Sequence, residues 1–242
     1  MEFRIDHPIG NLLGWWELAG VDTLVSDENV GWLKLPEMAR LRADAKEISR
    51  EISPAAGEMP SNLAEFLNWL ETSPDVPEAA WGGERIVPEA VARADLMIIS
   101  DMPDMEDMRA GALFSGRVGQ LFDALLGAIG LQREAIYFCS LASTRPPGGM
   151  FDDVSMDRLS RIMRRHIALA EPKAVLLLGD KTIRILGTAD TPQARQKLHV
   201  LNHDNGTVRA IATFHPRFLM RQPAAKAECW LDLQMLSKEM LS

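Results

Sequence analysis

Ala212-Thr-Phe-His-Pro-Arg-Phe-Leu-Met-Arg-Gln-Pro223 sets a single His-Pro step directly behind an apolar run and ahead of an arginine-rich apolar segment. Residues 208–214 read as a buried strand. Proline disfavours helical geometry in the residue before it, so His215 is expected to be extended and held at the strand's end. An imidazole there can hydrogen-bond a leaving group that turns anionic, or can be satisfied by a local backbone group.

Upstream, three more short apolar runs, 96–99, 135–139 and 174–178, read as strands. Helical spacing appears over 118–129, 156–170, 182–186 and 224–241. Strands alternating with helices imply an α/β fold with three αβα layers around a four-stranded, mainly parallel sheet. In such sheets the ligand crevice lies beyond the C-terminal strand ends. Four segments fall there: 100–104, 140–149, 179–181 and 215–221.

Further helices are expected over 8–20, over 36–52 behind Pro36, and from Ser61 with Leu63, Phe66, Leu67 and Leu70 as its stripe. The organisation expected is an N-terminal helical extension, 1–60, packing on a main domain, 61–242.

The chain has 242 residues and a net charge of −8, which argues against a general nucleic-acid-coating protein. The charge is uneven. Residues 1–94 hold 8 Lys/Arg against 17 Asp/Glu, whereas 95–242 hold 18 against 17. A local basic face is therefore open to the second part, with Arg109, Arg117, Arg145, Arg217, Arg221 and Lys226 as candidates. No run reaches the roughly 18 apolar residues of a membrane span, and residues 1–10 do not read as a signal peptide. A cytoplasmic monomer without membrane attachment is the expectation. The four histidines other than His215 show no ligand spacing on a helix, and no metal site is expected.

Among the strand-end segments, Asp101 can orient a water, or can belong with Asp104 to a solvated, helix-capping turn. Phe114 lies in the loop Gly111-Ala-Leu-Phe-Ser-Gly-Arg-Val-Gly-Gln120 and can stack on a flat base or anchor the loop. Thr144-Arg-Pro-Pro-Gly148 is a stiff loop carrying one cation, Arg145. Neither glycine-rich stretch fits a phosphate-binding pattern.

Taken in order, these segments resemble the uracil-DNA glycosylase superfamily, most closely its family 4, the iron–sulfur type. The likeness runs from about Asp95 to Leu236, with a weaker match from Leu63. It implies the uracil-DNA glycosylase-like fold, DNA as partner, and monofunctional excision of uracil or another deaminated base. By position, the resemblance makes Phe114 the ring that stacks on the flipped base and His215 the stabiliser of the base anion. Asp101 falls on the water-activating carboxylate, and 217–221 on the loop that enters the minor groove. Met102, Asp104 and Ser140 then become substrate-facing residues, and Arg145, Arg217 and Arg221 DNA-facing ones.

The chain departs from that pattern in ways that bear on activity. Ser100 and Asp104 stand where the first motif has glycines. Ser140 stands where the family has a base-reading asparagine, and one hydroxyl cannot replace an amide that donates and accepts together. No cluster cysteine is retained: Thr144 precedes Arg145, and 75–91 contain no cysteine. Two readings stay open. One is a cluster-free glycosylase, with weak activity or an altered base preference. The other is a catalytically degenerate member acting as a non-enzymatic DNA- or protein-binding module, its acidic N-terminal part engaging a protein partner.

No cofactor is expected on either reading. With only Cys139 and Cys229, one chain cannot supply the four thiolates of an iron–sulfur cluster. The purified protein should be colourless and iron-free; broad absorbance near ~400 nm with stoichiometric iron would contradict this.

Overall fold

The computed structural model describes residues 59–90, 93–187 and 194–240. The helices expected over 8–20 and 36–52 lie outside the described residues. Every described residue belongs to one compact unit, Pro54–Ser242.

The sheet has five strands: β1 (Leu96–Ser100), β2 (Ile136–Ser140), β3 (Ala174–Leu178), β4 (Leu198–His203) and β5 (Gly206–Thr213). Their order is β2-β1-β3-β5-β4. β1 pairs in parallel with β2 and β3, and β3 with β5; β4 runs antiparallel along β5. The fifth strand corrects the expected four. β4 gives a weak signal because it is an edge strand: Leu201 is buried, while Leu198 and Val200 are exposed. A tight turn at Asp204 and Asn205 joins β4 to β5 as a hairpin.

Alternate side chains of the central strands feed two cores. Met97, Ile99, Tyr137, Cys139, Val175 and Leu177 pack with Met156, Leu159, Met163 and Ile167 of α4 (Asp153–Ala170). Leu96, Ile98, Leu176 and Leu178 pack against the opposite layer. That layer holds Phe122 and Leu126 of α3 (Gly116–Ala128), and Leu233 and Leu236 of α7 (Lys226–Met240). Both faces are apolar because both are covered, which gives the three-layer α/β architecture.

A third cluster joins α1 (Leu63–Thr72) to α4 through Phe66, Leu67, Leu70 and Ile162. Its cap is Asn62 rather than Ser61, the amide oxygen accepting from the Ala64 N–H at 2.8 Å. Three short elements complete the scaffold: α2 (Met105–Ala110), α5 (Asp180–Ile183) and α6 (Pro216–Arg221). Glu78, 2 % exposed, accepts from the Ser143 backbone N–H at 3.0 Å and hydroxyl at 3.1 Å. It thereby ties the segment after α1 to the loop after β2.

His166 on α4 is 1 % exposed, with Nε2 2.7 Å from the Tyr137 hydroxyl. Burial pushes its pKa down to about 3. The unfolded chain therefore binds a proton below about 6.5 that the folded chain refuses. Stability from this group is full above pH 6.5 and falls as pH drops toward 3, by about 1.4 kcal/mol per pH unit. The urea midpoint should decline over that window. His166→Leu should lower the midpoint at pH 7 yet flatten the decline; an unchanged slope in the variant would assign the acid sensitivity elsewhere.

Candidate active site

The four parallel strands end on one edge, and hydrogen bonds beyond the ladder hold the following loops side by side. The Leu141 N–H donates to the Ser100 carbonyl at 2.8 Å and the Ala142 N–H to the Asp101 carbonyl at 3.1 Å. The Gly179 N–H donates to the Thr213 carbonyl at 2.9 Å. These bonds set Asp101, Lys181 and His215 around one cleft of about 530 Å³, with Phe214, Arg217, Phe218 and Arg221 as further walls. That volume lies in the range of small-ligand sites.

His215 is extended, at φ −67° and ψ 138°, as its proline neighbour requires. It caps α6: Nδ1 accepts from the Arg217 backbone N–H at 3.1 Å. In the neutral ring the proton then sits on Nε2, which lies 4.0 Å from Asp101 Oδ1. Burial, and then the Arg217 charge, push the His215 pKa down to about 4 against the pull of Asp101 and Asp104. Gly179, at φ +89°, lets the backbones close up: a Cβ there would sit 3.3 Å from that of His215.

Asp101, 9 % exposed, accepts from the Met102 N–H at 2.9 Å through Oδ1. The same oxygen accepts from the Arg217 guanidinium, which also donates to Asp104. Arg217 thus lies across both carboxylates rather than reaching out toward a phosphate. Arg145 likewise turns inward, donating to the Pro103 carbonyl at 2.8 Å, with Asp104 3.8 Å away. Of the three arginines expected to face DNA, Arg221 is the exposed one. Asp104 presents no bare charge, and it caps α2 with Asp107, whose carboxylate accepts from the Asp104 N–H at 2.8 Å. Segment 217–221, expected as a loop, is helix α6, with Leu219 fully buried and Phe218 and Met220 outward.

Phe114 sits at φ 55°, unusual for a bulky residue. The loop enforces it. Arg133 donates to the Leu113 and Phe114 carbonyls, and Asp107 accepts from the Ser115 N–H at 2.7 Å. Gly119 carries no Cβ where one would lie 1.7 Å from the Phe114 carbonyl oxygen. The ring is 3 % exposed, stacked on Phe122 at 4.6 Å and facing the His215 ring at 6.0 Å. It touches the site through His215 and has no open face.

Two expected substrate-facing side chains point elsewhere. Met102, 3 % exposed, belongs to the α4-side core. Ser140 donates its hydroxyl to the Ala142 carbonyl at 2.7 Å, so it offers a base no donor. Within the strand-end segment 179–181, Lys181 is a site side chain that no motif singles out. Its ammonium donates to the Gly149 carbonyl at 3.1 Å, lies 4.8 Å from the Phe151 ring centroid and 3.9 Å from Asp101 Oδ2. Burial lowers its pKa, Asp101 opposing and Arg217 and Arg145 adding to the shift. The available signal was its position just past β3.

The residues present do not fit a four-thiolate cluster. Cys139 and Cys229 are buried in the cores on opposite faces of the sheet. Among the described residues no group of His, Cys, Asp or Glu could hold a metal ion, and no helix is long and apolar enough to cross a membrane.

Three relatives carry the name Type-4 uracil-DNA glycosylase. The one from Archaeoglobus fulgidus is 20% identical over 153 residues, 60% of this chain and 77% of its own length. Those from Pyrobaculum aerophilum and Thermotoga maritima are each 23% identical, over 61% and 56% of this chain and 79% and 71% of their own lengths. A model described as Uracil DNA glycosylase superfamily matches residues 88–234, more than half the chain and the whole of the cleft. The parallel sheet, the cleft at its carboxyl edge and this match agree: the chain belongs to the uracil-DNA glycosylase superfamily.

Proposed function

We propose that the protein flips a base out of DNA and hydrolyses its glycosidic bond. Superfamily membership and three relatives named as uracil-DNA glycosylases support DNA as the substrate. The observation that carries the chemistry is the pinned, neutral His215. Its Nδ1 is occupied by the Arg217 N–H, so its one mobile donor, Nε2–H, faces Asp101 and the cleft. As the bond from the sugar C1′ to the base nitrogen breaks, its electron pair passes to the base. The imidazole N–H then stabilises that charge where water is scarce. Asp101, 4.0 Å from His215, would orient the water that adds to C1′, and the proton that water loses passes to the released base anion.

Single-turnover cleavage of single- and double-stranded oligonucleotides carrying uracil, hypoxanthine or xanthine tests this. His215→Ala should slow base release at least 100-fold, in line with the loss of one transition-state hydrogen-bond donor. Because His215 stays neutral down to about pH 4, its donor is present throughout pH 5–8, and the rate should show no inflection near 6.5 from this residue. An inflection that vanishes in the Ala variant would mean that the ring titrates like an exposed histidine.

A second reading has its own observation. Arg217 lies across Asp101 and Asp104, and Ser140 has turned its hydroxyl inward. A site so filled suits a non-enzymatic DNA-binding module. The two readings part on two substitutions. Asp104→Gly releases one end of Arg217, and Ser140→Asn restores a group able to donate and accept at a base edge. On the enzymatic reading each should raise uracil release about 10-fold, roughly 1.4 kcal/mol of barrier. No release of any base by the native protein or by either variant, with the fold intact, selects the binding module.

A further inference from the structure

The exposed aromatic ring in the cleft wall is Phe218, not Phe114. Phe114 is 3 % exposed between Phe122 and His215, whereas Phe218 is 39 % exposed and forms part of the cleft wall. Behind Phe218 stands a rigid ladder. Its ring stacks on Phe214 with centroids 4.9 Å apart and planes 25° apart. The Arg195 guanidinium lies 3.5 Å from the centroid of the Phe214 ring. Arg195 is in turn held by the fully buried Asp232, Nε to Oδ2 at 3.3 Å, and Asp232 also accepts from the Thr213 hydroxyl at 2.8 Å. Thr213 is the last residue of β5, two before His215. The platform is therefore anchored to the strand that positions the imidazole. Arg221, exposed, and Lys181 stand on the same cleft.

We propose that Phe218 is a stacking platform for an unpaired nucleobase of a DNA strand, next to the one bound at His215, with Arg221 on its phosphate backbone. This deepens the excision reading and rests on it for the choice of DNA. It makes single-stranded DNA, whose bases are already free to stack, the favoured form of substrate. An exposed aromatic ring among cations can stack with any base without reading its edge. A buried ring with the same neighbours could not. The preformed stack leaves little side-chain freedom to lose on binding.

The test compares two single-stranded oligonucleotides of equal length at equal salt, one of thymidine and one with abasic tetrahydrofuran units in place of every nucleoside. Binding is read by fluorescence anisotropy. The native protein should prefer the thymidine strand. Phe218→Ala and Phe218→Leu should each weaken that binding about 10-fold and leave the abasic strand unchanged, while Phe218→Trp keeps the preference. Arg221→Ala should weaken both strands alike. Equal affinity of the native protein for both strands, an equal loss on both in Phe218→Leu, or no binding to either overturns the proposal. A native protein that releases a base yet shows no base preference sinks the platform alone; a native base preference without base release sinks excision alone.

Discussion

Parallel pairing of β1 with β2 and β3, and of β3 with β5, puts four carboxyl ends on one edge of the sheet. Everything at the site depends on this. Each loop leaves its strand with its first carbonyl or N–H still bonded to the neighbouring loop, as at Ser100–Leu141 and Thr213–Gly179. The side chains that follow, Asp101 and His215, inherit the rigidity of a sheet buried on both faces. Side chains on ordinary loops would have to be ordered at an entropic cost; these are ordered by the ladder.

On that edge the electrostatics close on themselves. Asp101 and Asp104 face Arg217, with Arg145 and Lys181 3.8 and 3.9 Å from their nearest carboxylate oxygens. His215 is kept neutral among these charges by burial first and by Arg217 second. Asp104 thus gives Arg217 its second partner. In doing so it turns a cation that could meet a phosphate into one that guards the cleft. The same helix α6 carries Arg217 inward and Phe218 outward, so one short element sets both the closed face of the site and its open one.

Much of this could be read from the residues. The four apolar strands, the long helices and the strand-end position of the site follow from periodicity, because burial on both faces demands uninterrupted apolar runs. The extended His215 follows from Pro216. β4 did not show because an edge strand with one buried residue carries no such run. α6 did not show because its six residues are too few to display a period. Phe114 and Met102 could be placed near the site but not oriented, since an apolar side chain beside a cleft can face either the cleft or the core.

The sequence by itself determined the class of fold, the edge on which chemistry gathers and the superfamily, because these rest on local pattern and motif order. Only the tertiary structure decided which groups are free. Arg217 reaches Asp104 and Asp101 across 113 and 116 residues of chain, and no local pattern encodes that pairing. Whether a charge faces DNA or a buried carboxylate, and whether a ring presents its face or its edge, is set by packing between distant segments. That packing exists only once the strands have been laid side by side.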